Sequence, residues 1–239
     1  MAISQATEHT LGILQLADAV PVDYGGAISD PTSHPYPILP LQVTGSSSER
    51  VFGEDATVID AYVDAALELE RRGVTAITSN CGFAARLQPQ VAAAVHVPVG
   101  LSSLLMVPFA ARLVPPGSRI GIITYDSRRL SNRHFKGAGW TAEQIPVVIA
   151  GIEGSEVWQE LKKPSPRPDP VLVSATVTDV AERLLREHAD IRAIVLECSI
   201  FPMATPAVRR RAGLPTFDFV SLAHLLMSAV DVRPDAKTG

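Results

Sequence analysis

TSNCGF (78–83) and VLECSIF (195–201) hold the only two cysteines of the 239-residue chain. A shift of 117 residues places Cys81 on Cys198 and keeps other positions in register on both sides of the two stretches. The other aligned pairs are Ala76 with Ala193, Ile77 with Ile194, Pro98 with Pro215, Val63 with Val180 and Leu67 with Leu184. This match indicates that the chain consists of two related halves, with one cysteine at the equivalent point of each half.

Short apolar strands alternate with helices in both halves. The strands are predicted at 11–16, 37–43, 74–79, 119–124, 146–151, 191–196 and 214–219. The helices are predicted from Asp55 to Gly73, from Cys81 towards Pro98, from Tyr125 to Arg133, from Ser174 to His188, from Cys198 to Arg211 and from 219 to about 230. Such alternation is typical of parallel sheets covered by helices on both faces. We therefore predict an α/β fold of two pseudo-symmetric lobes.

The lobe boundaries follow from the position of the repeat. Residues 1–115 are predicted to form the N-terminal lobe, which is completed by a C-terminal helix at 219–231. Residues 116–218 are predicted to form the C-terminal lobe. The run KKPSPRPDP (162–170) is predicted to be a surface loop, with a lid over the site as the functional alternative.

The composition narrows the class of partner. The chain is 46% hydrophobic and carries a formal net charge of −4, so it can bury a full core and has no basic surface for nucleic acid or anionic lipid. Its start lacks a signal-peptide pattern, and no apolar run reaches the length of a membrane span. We expect a cytoplasmic protein that binds a small molecule, not nucleic acid or membrane.

The two cysteines are predicted to be free thiols. Disulfides are rare in a reducing compartment, and two cysteines without nearby histidine or acidic helpers do not form a zinc site. No metal and no cofactor are therefore predicted.

Each cysteine directly follows a predicted strand. In open α/β sheets, ligands bind beyond the carboxyl ends of the strands, so two facing lobes would place both thiols beside one cleft. A thiol at the start of a helix is expected to ionise more readily, because the helix N-terminus favours negative charge. Two such thiols on opposite sides of a carbon acid could remove a proton from one face and return one to the other.

The alternative is that both cysteines only fill the core, since free cysteine is among the residues most often buried. Their matched positions and polar neighbours favour the catalytic interpretation. Glu197 precedes the second cysteine at the end of a buried strand. It is predicted either to relay protons or to cap the following helix.

The paired turns Asn80-Cys81-Gly82 and Glu197-Cys198-Ser199, together with Val22-Asp23-Tyr24-Gly25-Gly26 after the first strand, resemble the aspartate/glutamate racemase superfamily. The resemblance covers about residues 10–230. That superfamily includes amino acid racemases, hydantoin racemases, maleate isomerases and arylmalonate decarboxylases. It implies two flavodoxin-like lobes with the active site between them, no cofactor, a small-molecule carboxylate substrate and a homo-oligomer.

The resemblance also implies roles for individual residues. Cys81 and Cys198 match the paired acid and base of the racemases. The substrate would be bound by Asn80, Gly82, Phe83, Tyr125, Ser199, Ile200 and Asp23. Gly82, Phe83, Ser199 and Ile200 match turn residues whose backbone N–H groups hold a carboxylate, and Tyr125 resembles the tyrosine that completes this pocket in the decarboxylases.

Two departures bear on the substrate. Ile200 stands where glutamate racemases have a histidine, and Phe83 makes the first turn more apolar. Glutamate is thus disfavoured, and a bulkier or less polar carbon acid is expected. The leading hypothesis is a two-cysteine racemase or epimerase acting on a small carboxylate or cyclic amide. A maleate-type isomerase, a decarboxylase using one cysteine and a non-catalytic ligand-binding protein are the alternatives.

Overall fold

A computed structural model of the protein describes residues 9–18, 24–53 and 55–230. The described strands form two four-stranded parallel sheets with the orders β2-β1-β3-β4 and β6-β5-β7-β8. The strands are β1 Leu11–Gln15, β2 Ile38–Gln42, β3 Ala76–Ser79, β4 Val99–Gly100, β5 Arg119–Thr124, β6 Val147–Gly151, β7 Ile191–Leu196 and β8 Thr216–Phe217. The α/β class and the two parallel sheets predicted from the repeat are confirmed.

The two sheets have equivalent strand pairings and equivalent individual hydrogen bonds. Gly12 pairs with Ile77 in the first sheet, and Gly121 pairs with Ile194 in the second. Ile77 N–H donates to the Pro98 carbonyl and Ile194 N–H to the Pro215 carbonyl, both over 2.9 Å. The structure therefore places the two halves in the same register that the aligned cysteines indicated.

Helices cover the sheets on both sides. They are α1 Ser48–Phe52, α2 Thr57–Arg71, α3 Gln88–Ala94, α4 Val107–Arg112, α5 Asn132–Gly137, α6 Glu156–Glu160, α7 Pro170–Glu187, α8 Thr205–Ala212 and α9 Phe219–Val230. The long helices α2 and α7 bury one apolar stripe each, as amphipathic helices do. No helix in the described part of the chain combines the length and apolarity needed to cross a bilayer.

The last helix returns to the first sheet. Phe219, Ala223 and Met227 of α9 form a buried cluster with Leu11 and Ile13 of β1. Asp218 stabilises the start of this helix, since its carboxylate accepts a hydrogen bond from the Ser221 backbone N–H over 2.7 Å. Asp218 therefore caps the start of α9.

Several predicted boundaries are wrong. Tyr125 does not open a helix, because the Asp126 carboxylate accepts from Arg128 N–H and holds a turn, and α5 begins only after Ser131. Helix α7 begins at Pro170, four residues earlier than predicted, because Asp169 caps it and proline suits the first helical turn. The last strand is shorter than predicted, and β4 was not predicted.

Candidate active site

The two cysteine turns begin with equivalent hydrogen bonds. Asn80 N–H donates to Leu14 of β1 over 3.0 Å, and Glu197 N–H donates to Ile123 of β5 over 2.8 Å. Both bonds hold the residue before the cysteine at the carboxyl end of its sheet. The pseudo-symmetry of the fold therefore extends to the local backbone around both thiols.

Each turn continues into a 3₁₀ helix, not directly into an α-helix as predicted. These helices span Gly82–Leu87 and Phe201–Ala204. A 3₁₀ turn forms where the residue after the strand has to change direction within a few positions. The cysteines consequently lie one short helix away from the N-termini of α3 and α8.

The turns contact each other across the lobe boundary. Ser199 Oγ donates to the Asn80 backbone oxygen over 2.6 Å. Gly82 lies directly against Glu197, and a β-carbon at Gly82 would lie 2.5 Å from the Glu197 carboxyl carbon, closer than any real contact. Glycine at position 82 therefore allows the two cysteine turns to approach one another.

A cleft of about 340 Å³ opens between the lobes at this point. Its lining includes every predicted site residue within the described part of the chain: Asn80, Cys81, Gly82, Phe83, Tyr125, Glu197, Cys198, Ser199 and Ile200. Asp23 lies outside the described residues. The fold therefore brings the described residues of the predicted site together at one cleft.

Removal from water governs the pKa values of the two thiols, of which Cys81 is buried and Cys198 is half-buried. It raises the pKa of Cys198 to about 12 and that of Cys81 well above its usual value, and in both cases the Glu197 charge raises the pKa further. Backbone N–H groups of Phe83 and Ala84 act in the opposite direction at Cys81, as do those of Ser199 and Ile200 at Cys198. The expectation that the turns favour thiolates is therefore wrong, because desolvation outweighs the backbone donors at both cysteines.

Glu197 is fully buried between the two turns. Its Oε2 accepts from Thr124 Oγ1 over 2.7 Å, and the backbone N–H of Tyr125 also donates to the carboxyl group. Burial raises the pKa of this carboxyl to about 7 in spite of these donors. Its partners belong to the end of β5 and the residue after it, so Glu197 does not cap the helix that follows.

Aromatic rings form one wall of the cleft. Phe52 packs edge-on against Phe83 with a centroid distance of 4.5 Å and stacks on Tyr125 at 5.9 Å. Burial raises the pKa of Tyr125 to about 12, so its hydroxyl remains a hydrogen-bond donor at neutral pH. The wall is apolar with a single donating hydroxyl.

Charged residues surround the mouth. Glu49 of α1 pairs with Arg129 of the other lobe over 3.0 Å, and Lys162 lies 3.5 Å above the Trp158 ring. The lining residues that were not predicted are Leu16, Asp18, Ser48, Glu49, Phe52, Leu161, Lys162, Lys163, Pro164 and Pro166. Lys162 to Pro166 lie in the proline-rich run, whose alternative interpretation as a lid was the only signal that pointed to them.

Within residues 9–18, 24–53 and 55–230, no group of three or more histidine, cysteine or acidic side chains is arranged to hold a metal ion. Both cysteines are free thiols. The polar groups that line the described cleft include the two thiols, the buried Glu197 carboxyl, the Tyr125 hydroxyl and the charged side chains of Asp18, Glu49, Lys162 and Lys163.

A sequence model for a family described as Asp/Glu/Hydantoin racemase matches residues 42–226. Among curated proteins, the chain is 28% identical over 208 residues to a dimethylsulfoniopropionate lyase of Durusdinium sp. clade D, a match that covers 84% of this chain and 69% of that protein. It is 26% identical over 241 residues to dimethylsulfoniopropionate lyase 3 of Emiliania huxleyi strain CCMP1516, covering 96% and 62%. The chain thus spans about two thirds of the length of these relatives.

Solved structures share the fold. The Gly74Cys mutant of arylmalonate decarboxylase superposes with a TM-score of 0.62 at 21% identity, covering 94% of this chain and 96% of that one. Allantoin racemase from Pseudomonas fluorescens gives a TM-score of 0.62 at 19% identity, covering 92% and 90%. An aspartate racemase from Picrophilus torridus gives 0.52 at 14% identity, covering 92% and 94%.

Proposed function

Because the chain belongs to the Asp/Glu/hydantoin racemase family, we propose that it is a cofactor-independent racemase or epimerase whose acid and base are Cys81 and Cys198. One observation carries the proposal: the only two thiols of the chain lie on symmetry-related turns and line the same cleft. Two proton-transfer groups on opposite faces of a carbon can invert its stereocentre, because one removes a proton and the other returns one to the opposite face. A pseudo-twofold pair of turns supplies that arrangement.

The reaction consists of two proton transfers. One cysteine, as thiolate, takes the proton from the carbon next to the substrate carboxyl or carbonyl group, and the other, as thiol, donates its proton to the opposite face. Backbone N–H groups at residues 83–84 and 199–200 support whichever sulfur carries the charge. A bound substrate displaces most of the water from the cleft. These fixed donors therefore stabilise the charged sulfur more strongly there than they would in solution.

The lining restricts the substrate class. Leu16, Phe52, Phe83, Leu161 and Ile200 give the cleft a mainly apolar surface. A volume of about 340 Å³ suits a small molecule. We propose a small carboxylate or cyclic amide that carries an apolar or cationic substituent.

A second function, elimination, is favoured by the two dimethylsulfoniopropionate lyases among the relatives. It begins with the same proton abstraction, after which the bond from the β-carbon to a sulfonium sulfur breaks and leaves an unsaturated carboxylate and a neutral sulfide. The wall of Phe52, Phe83 and Tyr125, with Asp18 and Glu49 in the same lining, suits an onium cation because ring faces attract positive charge. This elimination needs only one thiolate.

A single screen separates the two. The protein is incubated in deuterated water with aspartate, glutamate, allantoin, a hydantoin and dimethylsulfoniopropionate, and proton NMR follows loss of the Cα–H signal and appearance of an alkene. Exchange with inversion, abolished by both Cys81→Ser and Cys198→Ser, supports the racemase. Alkene formation that survives one of these substitutions supports the lyase, and turnover that survives both contradicts cysteine chemistry altogether.

A further inference from the structure

Glu197 lies at the centre of the site and has no role in the two proton transfers described above. It immediately precedes Cys198, and its carboxyl group lies against Gly82, the residue that follows Cys81. Its side chain has no solvent exposure. The carboxyl is thus enclosed between the two cysteine turns and lies next to both of them.

The two oxygens of this carboxyl differ. Oε2 accepts the Thr124 hydroxyl hydrogen over 2.7 Å, whereas Oε1 is buried without a hydrogen-bond partner within the described part of the chain. A buried carboxyl oxygen without a partner costs free energy, and most proteins avoid it. The unpartnered oxygen is the one that faces Gly82 on the first cysteine turn. One oxygen is therefore fixed and the other is available.

Among the described residues, Cys81 from the first turn and Cys198 from its own turn interact electrostatically with Glu197. The carboxyl has a pKa near 7, so protonated and ionised forms coexist at neutral pH. Interacting groups of this kind titrate as one unit and not as three independent acids. A proton lost by this unit can come from either thiol or from the carboxyl.

A two-thiol racemase has a proton to return after each turnover. The cysteine that removed a proton ends as thiol and the one that donated ends as thiolate, the reverse of the starting state. We propose that Glu197 is the group that moves the proton between the two cysteines and restores the starting state. This inference rests on the proposed racemase function.

The step is balanced without a further reagent. The protonated Glu197 carboxyl gives its proton to the thiolate of one turn, and the resulting carboxylate accepts the proton of the thiol of the other turn. Each transfer requires a side-chain rotation or a bridging water, because Oε1 makes no hydrogen bond to a thiol within the described residues. One S–H bond forms, another breaks, and the carboxyl is regenerated. The same exchange lets Glu197 generate the first thiolate when its carboxyl is ionised, since the carboxylate then accepts a thiol proton.

The test uses iodoacetamide as the probe and requires no substrate. Each cysteine's alkylation rate is measured by mass spectrometry between pH 5.5 and 8.5. If the thiols share a proton with Glu197, the rate in the wild-type protein rises up to about pH 7 and then levels off, because the thiolate fraction follows ionisation of the whole unit. In Glu197→Gln, the rate rises about tenfold per pH unit without levelling, as for an isolated thiol of high pKa.

Two further variants keep the outcome decisive. Glu153→Gln removes a carboxylate that also lies against a glycine, Gly151, but does not line the cleft, so it keeps the wild-type profile. Thr124→Val retains the Glu197 carboxyl but removes its hydroxyl donor, which raises the pKa of the carboxyl and moves the levelling to higher pH. This variant tests the role of Glu197 independently if Glu197→Gln does not fold. A wild-type profile without levelling, or an unchanged profile in Glu197→Gln or Thr124→Val, overturns the proton-shuttle role. The proposed racemase function is judged separately by Cα–H exchange.

Discussion

Gly82 and Glu197 are in direct contact although 115 residues separate them in the chain and they belong to different lobes. The contact brings the turn after one cysteine against the residue before the other. The two symmetry-related turns meet at this point, and only the Glu197 side chain lies between them because position 82 has none.

Replacement of Gly82 by alanine should separate the two turns. The added β-carbon overlaps both the carboxyl group and the backbone oxygen of Glu197, and backbone cannot move aside cheaply. We expect a loss of about 1–3 kcal/mol in the free energy of unfolding, measured by urea titration. Gly25→Ala is the matched control, since its β-carbon would meet only Asp30 Oδ2 at 3.8 Å. Equal stability of the two variants would show that the contact tolerates a side chain.

Glu197 should make the protein less stable as the pH rises. Its pKa is about 7 in the folded protein and 4.5 as the ordinary value, so the folded state binds the extra proton between these values. The stabilisation is complete below about pH 4.5 and is lost as the pH rises through 7, with a total of about 3 kcal/mol. Urea unfolding of Glu197→Gln and wild type at pH 5 and pH 8.5 checks this. The variant should gain stability relative to wild type only at the higher pH, and a difference independent of pH would contradict the prediction.

Two serines join the lobes and should differ in their effect on the site. Ser199 Oγ donates to the Asn80 carbonyl over 2.6 Å, and Ser103 Oγ donates to the Leu196 carbonyl over 2.8 Å. Each alanine variant leaves a buried carbonyl without this donor and should lose about 1–2 kcal/mol. Only Ser199→Ala should also change the iodoacetamide reactivity of the cysteines, because only Ser199 lines the cleft. Identical thiol reactivity in both variants would place Ser199 outside the working site.

The ion pair at the mouth should contribute little to stability. The Glu49 side chain is 74% exposed and that of Arg129 is 40% exposed, so solvent and salt screen their attraction. Arg129→Gln should change the free energy of unfolding by less than about 0.5 kcal/mol, whereas Asp126→Asn should cost more because that carboxylate is buried and anchors the turn after Tyr125. Differential scanning calorimetry compares the two. A larger loss in Arg129→Gln would mean that the pair holds the lobes together.

The fold was largely predictable because the apolar segments recur in the same order in both halves of the sequence. The strand 191–196 was predicted at its observed bounds. The segment 37–43 was predicted as a strand, and its observed place at the edge of the sheet suits Pro40, which cannot donate to a central ladder. The turn after Tyr125 was not predicted because a hydrogen bond to the Asp126 side chain forms it, and the apolar pattern of the sequence does not record such a bond. The two-residue strand β4 is too short to leave a periodic signal.

The site residues that directly follow strands could be predicted from the sequence. Those that reach the cleft only because distant segments pack together could not. Both cysteine turns could be placed because parallel strands end at one edge. Phe52 and Glu49 lie on the short helix α1, which was not predicted from the sequence. The thiol pKa values were misjudged because a turn sequence does not reveal how far the fold removes each thiol from water, with Cys81 buried and Cys198 half-buried.

The most direct test of the two-thiol account measures where solvent hydrogen enters. A single enantiomer that turns over is converted in deuterated water, and mass spectrometry of the separated enantiomers is recorded at low conversion. With one cysteine on each face, the product should carry deuterium while the recovered substrate carries almost none. Equal deuterium in substrate and product from the start would show that one group serves both faces, which contradicts the assignment of Cys81 and Cys198 as opposed acid and base.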